Sequence, residues 1–570
     1  MDNVTKSKGG LIVFYFFLIG FIFFLAECKK PATSLPPQTQ PPFVTSFEVR
    51  NQTINSLPFN STGALHGINN NAVIQLSFSD KVDKNSVSSA ISYTNKSQAS
   101  AIPFNVSYQN SDSILFISSA NIGYLKEYIF SVSTLLKSVS GKTLTTRIDL
   151  DFFSQIDSTD KFSRISDDAL LDLIQQQTLK YFTDFGHPVS GMARERNSSN
   201  DVVTTGGTGF GIMGIISGVS RNFVSRTDGL NLITKMVSFL KNNCTSYHGA
   251  YSHWINGATG ATVPFGAKDN GADIVETAYL LQGLLCARQF FNGADAVESD
   301  LRSNINFIWN RVEWNWFRQN NQDVLYWHWS PNYFWDLNFQ VKGWNEALIV
   351  YALAASSNTD SIIKIVYHNG WANNGSIKNG NAYYGYTLPL GPPLGGPLFF
   401  AHYSFMGINP NTLTDTYADY QLQNVNHSKI NYAYCVANPK GYYGYSNLCW
   451  GLTASDDQNG YSAHAPDNDN GTITPTAAIS SLPYTPLESM NALKFFYYTL
   501  GDKIWKQYGF TDAFNLTNLW FADSFLAIDQ GPEIVMIENY RTGLLWNLFM
   551  SCPEIKRGMK QIGFQSPNLQ

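Results

Sequence analysis

Apolar residues in this chain change their period once, near residue 157, and that switch limits the fold more than any other feature. Over residues 44–153 they alternate with polar ones, as in Ala72-Val73-Ile74-Gln75-Leu76-Ser77-Phe78, Ser113-Ile114-Leu115-Phe116-Ile117 and Tyr128-Ile129-Phe130-Ser131-Val132. Alternation puts every second side chain on one face of a strand. Polar turns such as Asn69-Asn70-Asn71 and Ser140-Gly141-Lys142 separate the runs, and short strands at this spacing predict a β-sandwich of ~100 residues. After the polar linker 157–161 the period becomes helical. Leu170, Leu171, Ile174, Thr178, Tyr181 and Phe182 share one face behind Ser166, an N-cap for Asp167-Asp168, and Gly186 and Pro188 end the run.

Further helices are expected at 274–289, where Val275, Ala278, Tyr279, Leu281 and Leu285 recur, and at 346–355 with Ala347, Leu348, Tyr351, Ala354 and Ala355. Thr485-Pro486-Leu487-Glu488 has the form of a capping box with proline at the first helical position, opening a helix that Gly501 closes. Long loops rich in Gly, Asn, Tyr and Pro lie between them. Residues 380–410 form one, placed to close one end of a cleft; loops of that length in a compact domain usually carry function. Helix pairs with elaborated loops at one end predict an α/α toroid, and twelve helices over ~410 residues leave ~34 for each helix and its loop. The expected fold is multidomain: an all-β sandwich over 45–156, then an all-α toroid over 160–570.

Lys6 and Lys8 precede an apolar run from Leu11 to Ala26. It is shorter than the ~20 residues of a membrane span and reads as a secretion signal. The ending Leu25-Ala26-Glu27-Cys28-Lys29-Lys30 resembles a bacterial lipoprotein signal over 1–28, with Cys28 as the lipidated first residue of the mature protein. Glu27 stands where a small residue is usual, and an uncleaved anchor is the alternative. Residues 29–44, with Pro31, Pro36, Pro37, Pro41 and Pro42, form an extended tether. These features imply export and lipid anchoring at the cell envelope, on the outer membrane or its periplasmic face. The segment Leu76-Ser77-Phe78-Ser79-Asp80-Lys81-Val82-Asp83 resembles bacterial Ig-like modules. It lies in a region without clustered His, Cys or carboxylates, so that region reads as a spacer, with sugar binding as the alternative. The cysteines Cys244, Cys286, Cys435, Cys449 and Cys552 show no CxxC spacing; Cys435 and Cys449 either close a loop or stay buried thiols.

Charged residues make up 14% of the chain, against about 25% on average, and aromatics another 14%. Rings and amides with little charge suit a surface for sugars, and equally the core of a large helical domain. The net charge of −5 gives no basic footprint for nucleic acid.

Four acidic positions stand out. In Lys268-Asp269-Asn270-Gly271-Ala272-Asp273-Ile274-Val275-Glu276, the spacing i, i+4, i+7 would set Asp269, Asp273 and Glu276 on one face of a helix N-terminus. One acid there is a cap; three repel one another, which raises a pKa toward that of a general acid. Glu346 opens the next apolar helix after a run of rings that includes Trp316, Trp327, Trp329 and Trp335. Arg194-Glu195-Arg196 reads as a salt bridge able to orient a carboxylate or hold a hydroxyl, and Asp456 as a loop-borne ligand or base. The block 527–546 packs Asp529, Glu533, Glu538 and Arg541 among apolar residues, where a charge is costly unless paired or used. Gly207-Thr208-Gly209-Phe210-Gly211 is not a dinucleotide loop, lacking a preceding strand and the right spacing. Asp467-Asn468-Asp469-Asn470-Gly471 has its Gly one place early for a calcium loop, and no HExxH or Gly-x-Ser-x-Gly occurs.

Several stretches together resemble the bacterial glucoamylase-like family that includes endo-β-1,2-glucanases. They are Ser190-Gly191-Met192-Ala193-Arg194-Glu195-Arg196, residues 206–213, 269–277 and 452–456, Ile473-Thr474-Pro475-Thr476-Ala477-Ala478, Pro483-Tyr484-Thr485-Pro486 and 528–546. The resemblance implies an (α/α)6 toroid, inverting hydrolysis, no metal or other cofactor and an oligo- or polysaccharide substrate, most readily β-1,2-glucan. It maps the family's acids onto Asp269, Asp273, Glu276 and Glu346. Glu346 is expected as acid and Asp269 as base, with Asp273 and Glu276 shaping the cleft; the exchanged assignment, or Glu276 as acid, stays open. Substrate contacts are expected from Arg194, Glu195, Trp316, Trp329, Asp456, Asp529, Tyr540 and Arg541, in a monomer. The rivals are a glucosidase or transglycosylase for another linkage, and a non-catalytic glycan-binding lipoprotein.

Overall fold

The computed structural model describes residues 46–60 and 63–570; the signal, Cys28 and the tether lie outside the described residues. The β region forms two five-stranded sheets. One runs Leu57–Pro58, Val49–Ile54, Val73–Phe78, Ile114–Ser118, Asn105–Gln109, all antiparallel. The other runs Leu65–Ile68, Ile148–Ser154, Glu127–Val132, Ile91–Asn95, Ser100–Ala101, with a parallel pair only between its first two strands. Alternation decides what each strand buries: Ile74, Leu76 and Phe78 point inward on one sheet and meet Tyr93, Phe130 and Phe152 of the other in a shared core.

This unit is fastened to the helical domain by a small polar and aromatic seam. The His66 ring stacks on Phe153 at 4.5 Å and on Tyr443 at 5.4 Å, and His66 Nε2 meets the Thr517 carbonyl at 2.9 Å. The Ile156 amide donates to the Tyr443 hydroxyl at 3.2 Å. Gly67, at φ +73°, lets the chain turn where a Cβ would come within 3.1 Å of the Tyr443 ring.

In the helical domain, helices buried almost all round alternate with helices buried on one side. Thr205–Ser220, Ile274–Phe290, Leu348–Ser356, Pro475–Ser480 and most of Ala527–Thr542 are interior. Asp167–Thr183, Arg226–Asn242, Ala296–Trp309, Tyr420–Ala437 and Pro553–Ile562 bury one face and solvate the other. Wholly apolar helices belong inside such a layer and amphipathic ones outside it. Among the described residues no helix is long and apolar enough to cross a membrane.

The glycines of 206–211 serve this packing. A Cβ on Gly209 would lie 2.2 Å from the Tyr279 carbonyl, and one on Gly283 would lie 2.2 Å from the Gly209 carbonyl, so these two glycines let interior helices touch backbone to backbone. A short strand, Val202–Thr204, does precede them, against the expectation, but the helix they open is filled with packing contacts.

Three local expectations differ from the structure. Ser166 caps its helix as expected, accepting from Ala169 N, but the capping box at Thr485 does not form. Thr485 Oγ1 instead donates to the Ser481 carbonyl and meets Ser489, while Glu488 pairs with Lys429. Helix starts also shift: Ile274 begins its helix, so Asp269 precedes it and Asp273 is its N-cap, and Glu346 lies two residues before Leu348–Ser356. The five described cysteines are free thiols, all buried except the half-buried Cys244, so Cys435 and Cys449 close no loop.

Candidate active site

A cavity of about 450 Å³ opens where interior helices present their N-terminal ends. Its lining takes Thr204, the residue before Thr205–Ser220, Glu276 from the first turn of Ile274–Phe290, Glu346 before Leu348–Ser356, and Ile528 from the first turn of Ala527–Thr542. Unpaired amides and the helix dipole favour negative charge at that end. Trp254, Phe265, Tyr279, Trp327, Phe399, Tyr403 and Tyr461 make the rest of the wall largely aromatic. Hydrophobic walls with a few convergent acids are the form of a small-molecule site.

The acids are brought together by the fold and not by a shared helical face. Asp273, fully buried, accepts from Val275 N and Glu276 N at 2.9 Å through Oδ1 and from His253 Nδ1 at 3.1 Å through Oδ2. Burial opposes its charge, but His253, His328 and the helix amides prevail and hold its pKa below the usual carboxylate range. Glu276 accepts from Gly206 N at 2.7 Å and from Thr204 Oγ1 at 3.2 Å. Burial, with repulsion from Asp273 added, pushes its pKa up against the pull of His253. Asp269, beside His328 Nε2 at 3.3 Å, is likewise raised by burial and by Asp273. His253 stands among the three; burial works against its charge, but Glu276, Asp273 and Asp269 together lift it to about 9, so it is an imidazolium at neutral pH.

Glu346 differs from these. Its carboxyl lines the cavity, while its backbone carbonyl is the group that is tied down, by Ser404 Oγ and by Tyr279 OH. Burial, followed by the charges of Asp273 and Glu276, pushes its pKa to about 7. A carboxyl that keeps its proton near neutrality is equipped to act as a general acid.

His253, Asp269 and Asp273 each bring one ligand atom within 4.8 Å of the others, a spacing at which a cation fits. Within this group His253 Nδ1 meets Asp273 Oδ2 at 3.1 Å.

The substrate contacts expected from the sequence divide. Glu195 lines the cavity, but its neighbour Arg194 does not: its guanidinium covers the Phe185 ring at 4.5 Å. Arg196 takes its place, donating to Glu195 at 3.0 Å and to both oxygens of Asp456 at 3.0 and 3.1 Å. Trp316 and Trp329 lie outside the lining; Trp316 stacks on His248 at 3.8 Å, and Trp327 is the tryptophan of that run that faces the cavity. Asp456 lines an adjoining groove. Asp529 sits in a small pocket beside the cavity with Phe399, Tyr403 and Ile528; burial and the neighbouring Asp512 carboxylate push its pKa well above the usual carboxylate range. Tyr540 and Arg541 lie at the far end of the same helix, roughly 18 Å away at 1.5 Å per residue. There Arg541 pairs with Asp172, and Glu538 with Arg221 at 2.7 Å. From the loop 380–410 Phe399 and Tyr403 reach the lining. Sequence reasoning missed His253 and His328, since no ligand motif marks them, and Asp512, whose role depends on a neighbour 17 residues away in the chain.

Residues 338–553 match a family model described as "Putative glucoamylase". Over 420 residues, 70% of this chain, the sequence is 45% identical to an exo-β-1,2-glucooligosaccharide sophorohydrolase (non-reducing end) of Parabacteroides distasonis, and the match spans 58% of that protein. Among solved structures, an endo-β-1,2-glucanase from Chitinophaga pinensis, seen with sophorotriose and glucose, superposes with a TM-score of 0.70 at 50% identity, over 71% of this chain and 100% of that one. A β-1,2-glucanase from P. distasonis gives 0.68 at 36% identity, over 92% of this chain and 74% of that one.

Proposed function

This chain belongs to the glucoamylase-like family, and from that premise we propose that it is a glycoside hydrolase that cleaves β-1,2-glucan in the cavity around Glu346. The single observation carrying the reading is Glu346, which lines an aromatic cavity together with Glu276 and has its pKa pushed to about 7. Relatives that align over most of the helical domain act on β-1,2-linked glucose.

In this mechanism Glu346 gives its proton to the glycosidic oxygen as the bond breaks. A carboxylate on the other side of the sugar removes a proton from the attacking water, and inversion asks for ~6.5–9.5 Å between the two groups. That carboxylate belongs to the set around His253. Glu276 lines the cavity, and Asp269 is the member with one histidine contact and no backbone donor to its side chain. Asp273 spends its oxygens on the helix N-terminus and His253, so it positions the others. His253, charged, keeps three acids compatible in one place.

Incubation with a panel of β-1,2-, β-1,3- and α-1,4-glucans, read by release of reducing ends, tests the reading. Release from β-1,2-glucan alone is expected, and none from any glucan would leave a binding protein. Glu346→Gln should lower turnover by about 10²–10⁴-fold. Asp269→Asn and Glu276→Gln then identify the base, as the variant whose rate azide restores.

The same reading makes the helical region an (α/α)6 toroid, supported by the alternation of interior and outer helices. It makes the two five-stranded sheets an Ig-like spacer, and the protein a monomer held at the cell envelope through Cys28. Loss of membrane association in Cys28→Ala, with activity kept, is the expected outcome for that anchor.

A further inference from the structure

A second concavity, a groove of about 640 Å³, adjoins the catalytic cavity. Arg196 and Tyr461 line both, so the two spaces meet at these side chains. One wall is the chain at Arg196 and Asn197; the opposite wall is the strand Trp520–Phe521 with Asp523 beyond it.

The groove is built and not a gap between mobile loops. Arg196 is clamped on one side by Glu195 and on the other by Asp456, which also accepts from Ser524 Oγ at 2.5 Å. The side chain of Asn197 ties the two walls together, donating to the Asp523 carbonyl at 3.0 Å and accepting from Phe525 N at 3.1 Å. Walls fixed in advance reduce the ordering cost of binding.

Its chemistry is that of sugar recognition. The Trp520 ring is partly exposed and, among the described residues, no other ring packs on it. An indole face offers a stacking surface for the CH groups of a hexose, and the Asp523 carboxylate beside it, paired with Lys506 through one oxygen, has its other oxygen to accept from hydroxyls. Only a chain too long for the cavity would reach both spaces.

We propose that this groove is a distal saccharide site, which holds the part of a β-1,2-glucan chain that extends from the cavity past Arg196 and Tyr461, with Trp520 as its stacking platform. The proposal rests on the β-1,2-glucan reading above and adds a preference for long chains to it. Trp520 touches no reacting atom, so its effect falls on binding of long substrates alone.

The test compares Trp520→Ala with the natural protein on long β-1,2-glucan and on the shortest β-1,2-linked oligosaccharide it cleaves. Expected is a KM about five- to tenfold higher on the long chain, with kcat and all constants on the short one unchanged; Trp520→Phe should restore most of the loss. An equal change on both substrates, or none on the long one, overturns the proposal. If Trp520→Ala does not fold, Asp523→Ala replaces a side chain that is 91% exposed, and a KM rise confined to long chains is again required. A natural protein that releases nothing from any β-1,2-glucan would defeat the functional reading itself, an outcome distinct from an active protein whose groove variants are silent.

Discussion

Half-buried Glu346 and fully buried Glu533 both have raised pKa values, and they differ in what they face. Glu346 looks into the cavity and is held near 7. As an acid it works while protonated, so the rate on β-1,2-glucan should fall as pH rises through about 7, and a pH–rate profile of kcat checks it. Glu533 faces the helix Asp167–Thr183, where Thr178 Oγ1 donates to it at 2.8 Å, and burial lifts it to about 8. Its folded pKa lies above the unfolded value, so its contribution is present below about 4.5, declines as pH rises and is lost through about 8. Glu533→Gln should therefore melt with the natural protein at pH 5 and a few degrees above it at pH 9, a gain of about 1–3 kcal/mol. Melting curves at the two values decide it. Raised pKa alone does not separate the proposed acid from Glu533; the cavity does.

Among elements, the pair Thr205–Ser220 and Ile274–Phe290 carries the site, because each supplies an N-terminal end to Glu276: one helix holds the residue and the other gives it the Gly206 amide. Their spacing depends on Gly209 and Gly283. Gly209→Ala would force a methyl against the Tyr279 carbonyl and should cost about 1–3 kcal/mol or more, with activity lost in parallel as Glu276 shifts. Gly63→Ala, with nothing within 4 Å of the added carbon, should leave the melting temperature unchanged. The i, i+4, i+7 spacing of Asp269, Asp273 and Glu276 does not place them on one helical face. The first two precede the helix, and His253 and His328, from other segments, hold the group together.

For the whole molecule, the seam at His66, Phe153 and Tyr443 ties the β unit to the helical domain. The linker is itself pinned, since Lys161 N donates to the Tyr498 carbonyl at 2.7 Å. Tyr443→Ala removes the ring that His66 stacks on and the hydroxyl that accepts from Ile156. Cleavage by trypsin at Lys161 or Arg164 should then speed up several-fold while the rate on short oligosaccharides holds. No change in cleavage would mean that the linker's own contacts fix the β unit.

What the sequence determined by itself is what depends on period, caps and local motif: a β unit giving way to helices near 157 and the helix behind Ser166, with Asp269, Asp273, Glu276 and Glu346 as candidate acids. The block 527–546 identified the family from its residues, yet its two ends do different work, Asp529 beside the cavity and Arg541 one helix length away on Asp172. Only tertiary structure decided which acids face a common space, that Arg196 and not Arg194 spans Glu195 and Asp456, and that Trp327 and not Trp316 or Trp329 forms the wall. The reason is physical. A side chain's pKa and reach depend on groups that are near in space and far along the chain, and no local pattern records which of them will meet.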